Sequence, residues 1–317
     1  MKALRVDKKK PVVREVERPE PGQEAIVRVL LSGVCNTDLE IVRGYGGFKG
    51  TLGHEFVGVV EESHDASWLG QRVVGEINVG CGECELCKSG DPRHCLTRTV
   101  LGIVGRDGAH ADLLRLPLKN LVAVSDRIVD EHAVFTEPLA AACGIMERVE
   151  IKYTDRVAII GDGKLGLLCA QVIALTGAYV LLIGKHVDKL RIAERRGIET
   201  ATVKSARIRK RHFDLVVEAS GSPSGLARGL ELIRPRGVLV LKSTFHGTAE
   251  MNQAPLVVDE ITILGSRCGR FAPALDLLKK GAVDIDSLIS EEYPLARGTY
   301  AMERAGKKGI LKVLLRP

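Results

Sequence analysis

Four cysteines lie within fifteen residues of one another, at Cys81, Cys84, Cys87 and Cys95. Their pattern is C-x2-C-x2-C-x7-C: the short gaps let a tight turn direct successive sulfur atoms inward, and the longer gap closes the loop. Zinc binds four such thiolates in a tetrahedron. Because cysteine fills every position and leaves none open, the spacing predicts a structural zinc site rather than a catalytic one.

A second group of potential metal ligands is spread along the chain. Cys35 stands in GVCNTD, His54 and Glu55 stand in LGHEFVG, and Glu137 stands in TEPLA. Thiolate, imidazole and carboxylate groups are all zinc ligands. Taken singly, Cys35 and His54 are as readily explained as core residues, and Glu137 as a helix-start residue that the helix dipole favours.

The pattern GDGKLG indicates a dinucleotide site. Gly161, Gly163 and Gly166 follow the apolar run RVAII, and they open a helix together with Lys164 and Leu165. The first glycine permits a tight turn, the second lets the backbone approach a pyrophosphate, and the third allows close helix packing. The helix N-terminus offers free N–H groups to the phosphates. A strand before the pattern and a helix after it make this prediction specific.

The next strand ends in the sequence LIGKH, where the ribose of a dinucleotide would bind. NAD enzymes usually carry an acidic residue there for the ribose 2′-hydroxyl. This segment has no acid, Gly184 leaves room, and Lys185, His186 and Lys189 offer positive charge to a 2′-phosphate. We therefore predict a preference for NADP, with NAD or dual use as the alternative.

The elements that must position these groups change in character along the chain. The first 125 residues or so are short β-rich segments broken by Gly and Pro, such as 24–31 and 56–61. An Ala-rich stretch, 131–149, predicts a helix, and strands at 156–160, 179–183, 215–218, 237–241 and 261–264 then alternate with helices. That alternation predicts βαβ units and a parallel sheet, so the fold class is α/β.

The order and spacing of the Cys-x-Thr-Asp and GHE motifs, the four-cysteine lobe and the glycine pattern resemble the medium-chain zinc-dependent alcohol dehydrogenases over essentially the whole chain. The TEP motif at Glu137 resembles the polyol, sugar and threonine dehydrogenases of that family. The resemblance implies a GroES-like β-rich catalytic domain over 1–128, to which 269–317 return. It also implies a Rossmann doubly wound domain over 129–268.

By the same resemblance, Cys35, His54 and either Glu55 or Glu137 hold a catalytic zinc, so that two zinc ions are expected per chain. The Thr37 hydroxyl would pass the alcohol proton onward, whereas many family members continue with a histidine where this chain has Glu40. The implied reaction is hydride transfer between an alcohol (a sugar, a polyol or a secondary alcohol) and the nicotinamide of NADP or NAD. Family members also imply a homodimer or homotetramer.

The composition restricts the alternatives. The 317 residues are 45% hydrophobic and 27% charged, which is typical of a soluble globular protein and excludes a fibre. The net charge of +6 is spread along the chain and aromatic residues are only 4%, so we expect no nucleic-acid partner. Neither a signal-like start nor a run of about 18 apolar residues occurs, and we expect a cytoplasmic protein with no membrane contact.

Three other functions stay open: glucose 1-dehydrogenase-like sugar oxidation, an NADP-binding sensor without catalysis, and a zinc-ribbon protein that binds nucleic acid. The set Cys35, His54, Glu55 and Glu137 argues against the sensor, since binding alone needs no open zinc. The complete dinucleotide pattern argues against the zinc ribbon.

Overall fold

The computed structural model describes residues 1–244, 248 and 250–317. The chain divides into two compact units, of which the first joins Met1–Glu137 to Leu275–Pro317 and the second is Pro138–Ala274. The units meet at 137/138 and 274/275, whereas the sequence predicted boundaries at 128/129 and 268/269. Each observed boundary falls within a helix, so the two units are joined by continuous secondary structure and not by extended linkers.

The first unit is built mainly of short strands. In its long N-terminal segment the strands are β1 (Lys2–Asp7), β2 (Lys10–Glu15), β3 (Ala25–Gly33), β4 (Glu55–Glu62), β5 (Arg72–Gly75), β6 (Asn78–Val79), β7 (Thr99–Leu101), β8 (Gly105–Arg106), β9 (Leu113–Leu116) and β10 (Leu121–Ala123). The helices here are α1 (Asn36–Val42), α2 (Glu85–Lys88) and α3 (Asp130–Ala133), and α4 (Thr136–Cys143) leads into the second unit.

The second unit alternates strands and helices. Its strands are β11 (Arg156–Ile160), β12 (Tyr179–Gly184), β13 (Glu199–Thr202), β14 (Phe213–Glu218), β15 (Ile233–Leu241) and β16 (Thr262–Gly265). Its helices are α5 (Lys164–Ala174), α6 (Val187–Glu194), α7 (Pro223–Leu232) and α8 (Ala254–Val258). The chain then returns to the first unit through α9 (Phe271–Lys279), β17 (Ile289–Pro294), α10 (Gly298–Ala305) and β18 (Lys312–Arg316).

The main sheet of the first unit has the order β10-β5-β4-β3-β18-β17, and β9 also pairs with β3. Strand β3 is buried except at Arg28 and Leu30 in its middle, and its residues Ala25, Val27 and Val29 pack on the core that Phe56, Leu101 and Leu116 share. The register sets Gly33, the last residue of β3, opposite both Glu55 of β4 and Leu314 of β18. This part of the sheet therefore brings together three segments that are far apart in the sequence.

The sheet of the second unit has six strands in the order β13-β12-β11-β14-β15-β16, and every pair is parallel. The strand order reverses between β11 and β14, which is where a doubly wound fold leaves a crevice for a ligand. Strands β11, β12 and β14 are almost wholly apolar, because helices cover both faces of such a sheet. This confirms the Rossmann-type parallel sheet.

Two local expectations were wrong. The stretch 131–149 is not one helix: α3 ends at Ala133, α4 begins at Thr136, and the helix ends at Cys143 before Gly144. The β-rich first 125 residues also contain the helix α1, which periodicity does not reveal because it is only seven residues long. In the part of the chain that the structure describes, no helix combines the length and apolarity needed to cross a membrane.

Candidate active site and metal centres

The sheet of the first unit brings the three dispersed metal-ligand candidates together. Cys35 follows the end of β3 and stands at the N-terminus of α1, while His54 and Glu55 stand at the start of β4. One ligand atom from each of the three lies within 4.8 Å of the others. His54 and Glu55 are buried and Cys35 is half-buried. Thiolate, imidazole and carboxylate at this spacing fit a zinc ion with a further coordination position open.

A buried carboxylate, Asp38, lies beside this group. Its Oδ2 accepts the backbone N–H of Cys35 at 2.8 Å, and its Oδ1 accepts that of Gly53 at 3.2 Å. The same Oδ1 lies 3.6 Å from Nδ1 of His54, which leaves Nε2 of that imidazole for a metal. Burial alone would favour neutral Asp38, but His54 and His110 outweigh it and lower the pKa of Asp38.

The electrostatics of the group favour a cation. Burial favours neutral His54, yet the adjacent Cys35 and Asp38 raise the pKa of His54 well above its usual value. The surroundings of the imidazole would therefore stabilise a positive charge at this position, whether a proton or a metal ion. The expected ligand types and their charges are consistent with a metal centre.

A second buried histidine extends the polar contacts away from the metal ligands. Nε2 of His110 lies 3.5 Å from Oδ2 of Asp38, and its Nδ1 lies 2.9 Å from the hydroxyl oxygen of Ser32. His110, Asp38 and Ser32 are all fully buried. Sequence reasoning missed all three; the acid of the Cys-x-Thr-Asp motif was the only available signal.

Glu55 has a buried cationic partner that the sequence did not reveal. Nζ of Lys312, at the start of β18, donates a hydrogen bond to Oε2 of Glu55, and both side chains are 1% exposed. The same Nζ lies 5.4 Å from the centre of the Phe135 ring. Lys312 begins a short apolar strand near the C-terminus, a position typical of a solvated lysine, so nothing in the sequence distinguished it.

The remaining predicted catalytic residues lie in the same unit. Thr37 is in the first turn of α1, and its Oγ1 is 3.7 Å from Sγ of Cys35. Glu40, in the next turn, forms an ion pair with Arg43. Glu137 is half-buried in the first turn of α4 and is not a member of the group that Cys35, His54 and Glu55 form.

The four cysteines of the lobe also converge. One sulfur atom from each of Cys81, Cys84, Cys87 and Cys95 lies within 4.8 Å of the others. The short helix α2 begins at Glu85, so Cys84 and Cys87 lie at its start and within it. N–H groups of Glu83 and Cys84 point at the Cys81 sulfur and lower its pKa. The N–H of Cys81 and the Thr97 hydroxyl lower the pKa of Cys95 to about 6.

The glycine pattern of the second unit has the geometry that a dinucleotide requires. Gly161 has φ +120° and a side chain there would meet the backbone of Ala219. The space where a side chain of Gly163 would stand is open, at the N-terminus of α5, where Lys164 and Leu165 follow. A side chain at Gly166 would lie 1.9 Å from the carbonyl oxygen of Gly161. Gly161 thus fits the tight turn, Gly163 leaves room for a phosphate to approach the backbone, and Gly166 allows the helix to pack closely.

The end of β12 differs from the expectation in one respect. Lys185 is exposed and Lys189 is half-buried, so both ammonium groups are accessible, whereas the ring of the half-buried His186 faces Asp162. The room above Gly184, however, is filled by the side chain of Asp162, because a Cβ at Gly184 would lie 2.6 Å from the Oδ2 of Asp162. The strand itself carries no acid at its end. In the folded protein, however, the Asp162 carboxylate lies there, so the expectation that this site is free of acid is wrong.

Comparison with protein-family models identifies both units. Residues 21–126 match the alcohol dehydrogenase GroES-like domain, and residues 165–280 match the zinc-binding dehydrogenase domain. The sorbitol dehydrogenase of Halalkalibacterium halodurans is 30% identical over 328 residues, which cover 96% of this chain and 95% of that protein. The chain belongs to the medium-chain zinc-binding alcohol dehydrogenase family, in its polyol dehydrogenase branch.

Two solved structures share the whole fold. The short chain alcohol dehydrogenase rspB of Escherichia coli, complexed with NADH, has a TM-score of 0.91 and 27% identity, covering 100% of this chain and 99% of that one. A putative zinc-binding dehydrogenase of Sinorhizobium meliloti, bound to NADP, has a TM-score of 0.89 and 29% identity, with 100% and 99% covered. The chain is an NAD(P)-linked oxidoreductase that interconverts an alcohol and its carbonyl compound.

Proposed function

We propose that this dehydrogenase depends on a zinc ion held by Cys35, His54 and Glu55. The observation that carries the proposal is the convergence of their ligand atoms within 4.8 Å at a buried position. Zinc supplies a Lewis acid that polarises the alcohol oxygen. Asp38 orients His54, and a hydrogen bond from the Lys312 ammonium holds the carboxylate of the adjacent Glu55 in place.

Of the two glutamates, we propose Glu55 as the direct ligand and Glu137 as a neighbouring carboxylate. The compact group that includes Glu55 and leaves out Glu137 supports this assignment. For proton movement we propose Thr37, whose Oγ1 lies beside the Cys35 sulfur: its hydroxyl would accept the proton that the alcohol oxygen releases while it gives its own proton to solvent water. Glu40 already pairs with Arg43, so we assign it no further step.

The four-cysteine lobe is proposed to hold a second, structural zinc. Four converging thiols, of which Cys81 and Cys95 receive N–H donors, are an arrangement that suits thiolates around a metal. Because no position is left open for water or substrate, this ion would stabilise the lobe and take no part in the reaction.

For the cofactor we propose NADP as the preferred partner. The positive charges of Lys185, which follows β12, and of Lys189, in α6, support binding of a 2′-phosphate. Substrates are proposed to be polyols or sugar alcohols, which the similarity to a sorbitol dehydrogenase supports.

We also propose a homodimer or homotetramer. Among the described residues, β16 pairs with β15 on one side and has no strand on the other. Val257 and Val258, just before it, are 77% and 79% exposed. An open strand edge beside exposed apolar side chains is a typical site of association.

The proposed function is tested by following nicotinamide reduction with NADP and with NAD over sugars, polyols and simple secondary alcohols. We expect turnover of at least one polyol or sugar alcohol, with a lower Km for NADP than for NAD. We expect His54→Ala to lose more than about a hundredfold in turnover, because loss of a metal ligand costs more than loss of a residue that only orients a ligand. His64→Ala, an exposed histidine of the same unit, is the control and should keep full turnover. Undiminished turnover in His54→Ala would remove the zinc from the mechanism.

A further inference from the structure

The glycine-rich turn contributes an acidic side chain to the end of the next strand. Asp162 belongs to the GDGKLG turn after β11, yet its Oδ2 accepts the backbone N–H groups of Lys185 at 2.7 Å and His186 at 2.6 Å. Nδ1 of His186 lies 3.1 Å from the same oxygen atom. Asp162 is only 8% exposed. The carboxylate is thus fixed at the strand end by three donors.

Gly184 makes this arrangement possible. A Cβ at position 184 would lie 2.6 Å from both Cβ and Oδ2 of Asp162, so any larger residue would push the carboxylate away. The glycine at the end of β12 and the aspartate in the preceding turn therefore form one local structure. The absence of an acid in LIGKH is compensated by an acid from elsewhere in the chain.

A ribose 2′-phosphate at this strand end would need hydrogen-bond donors, and these two N–H groups are donors that Asp162 already engages. They lie at the start of α6, where the helix N-terminus favours an anion, and Asp162 already provides one. Burial acts against ionisation, but the donors from His186 and Lys185 prevail and hold the pKa of Asp162 below its usual value. The imidazole of His186 is likewise directed at this carboxylate and not left free for a phosphate.

We propose that Asp162 is a cofactor-specificity residue that weakens binding of the 2′-phosphate, both by occupying the N–H groups of Lys185 and His186 and by charge repulsion. This inference rests on the proposed NAD(P)-linked function. Lys185 and Lys189 favour NADP, and Asp162 limits the size of that preference. The ratio of NADP to NAD affinity in this enzyme then depends on two opposing effects: the lysine side chains attract the 2′-phosphate, and the buried Asp162 carboxylate repels it.

The test measures binding of adenosine 2′,5′-bisphosphate and of adenosine 5′-monophosphate by calorimetry, which requires neither zinc nor turnover. Asp162→Asn keeps the size of the side chain and removes its charge. We expect this change to raise the affinity ratio of bisphosphate to monophosphate by about tenfold, which corresponds to about 1.4 kcal/mol. Asp162→Ser, which keeps one acceptor oxygen, should shift the ratio in the same direction and serves if Asp162→Asn does not fold.

The matched control is Asp188→Asn. It removes the same charge from the first turn of α6, but this carboxylate is 94% exposed and pairs with Arg191. We expect a change of less than about twofold, since exposed charges are well screened. An unchanged ratio in both Asp162 variants, or an equal shift in Asp188→Asn, would overturn the proposal. Failure of the wild type to bind either fragment would instead overturn the nicotinamide function and this inference with it.

Discussion

At the scale of single residues, the metal ligands and the groups around them differ in how far the sequence reveals them. Cys35, His54 and Glu55 are zinc-ligand types, but only the resemblance of their motifs to the medium-chain zinc-dependent alcohol dehydrogenases led us to expect that they converge. Asp38 was visible in the same motif but had no assigned role. Lys312 could not be found, because its partner Glu55 is 257 positions away in the sequence and the contact exists only through the pairing of β18 with β3.

Lys312 gives the clearest prediction at this scale. Replacing it with Met leaves the buried Glu55 carboxylate without its cation, and removing one partner of a buried pair costs about 3–5 kcal/mol. We expect Lys312→Met to lower the stability of zinc-free protein by roughly that amount, and of zinc-loaded protein by less, because the metal also neutralises Glu55.

Thermal unfolding with and without chelator measures this difference. Lys308→Met is the matched control, since Lys308 is exposed a few residues before β18, and it should unfold like the wild type. If Lys312→Met lost no more stability than Lys308→Met, the pair with Glu55 would have no structural importance.

At the scale of elements, periodicity identified the alternation of strands and helices in the second unit, and the ends of most of those strands lie within two residues of the predicted ones. Short elements were missed. Helix α1 and strand β13 are too brief for a periodic pattern. The interruption between α3 and α4 has a local cause that was overlooked: Pro138, in the first turn of α4, has no backbone N–H to continue a helix from α3. The acid at the end of β12 was missed for a different reason: it arrives from a different turn.

The four-cysteine lobe is an element whose stability should depend on its metal. Helix α2 has four residues and the flanking strands β6 and β7 have two and three, so the lobe has little regular structure of its own. We expect Cys95→Ser to release the structural zinc, to lower the unfolding temperature and to expose the 81–95 loop to proteases, because structural zinc contributes directly to folding.

Limited proteolysis followed by mass spectrometry locates the first cleavage. Cys268→Ser, a cysteine outside both groups, is the control and should show the wild-type cleavage pattern. First cleavage of Cys95→Ser elsewhere in the chain, with an intact 81–95 loop, would argue against a metal in the lobe.

At the scale of the whole molecule, each unit carries a separate part of the chemistry. All candidate zinc ligands belong to the first unit, and the glycine pattern and its neighbouring charges belong to the second. The four-cysteine lobe and the glycine pattern were recognisable from their local spacing, whereas the dispersed catalytic ligands were recognisable only through the resemblance to a known family. The contacts of Asp38 with His110, and of His110 with Ser32, could not be predicted from the sequence, because these residues meet only in the folded sheet.

We propose that one chain holds two zinc ions, one in a closed site of four cysteines and one in a site with an open position. The most direct test of this proposal is the zinc content per chain of purified protein, determined by elemental mass spectrometry for the wild type and for His54→Ala. We predict close to two zinc ions per wild-type chain and close to one in the variant, which keeps the four-cysteine site. A folded wild type with one zinc or none, or a variant that still holds two, would contradict the account.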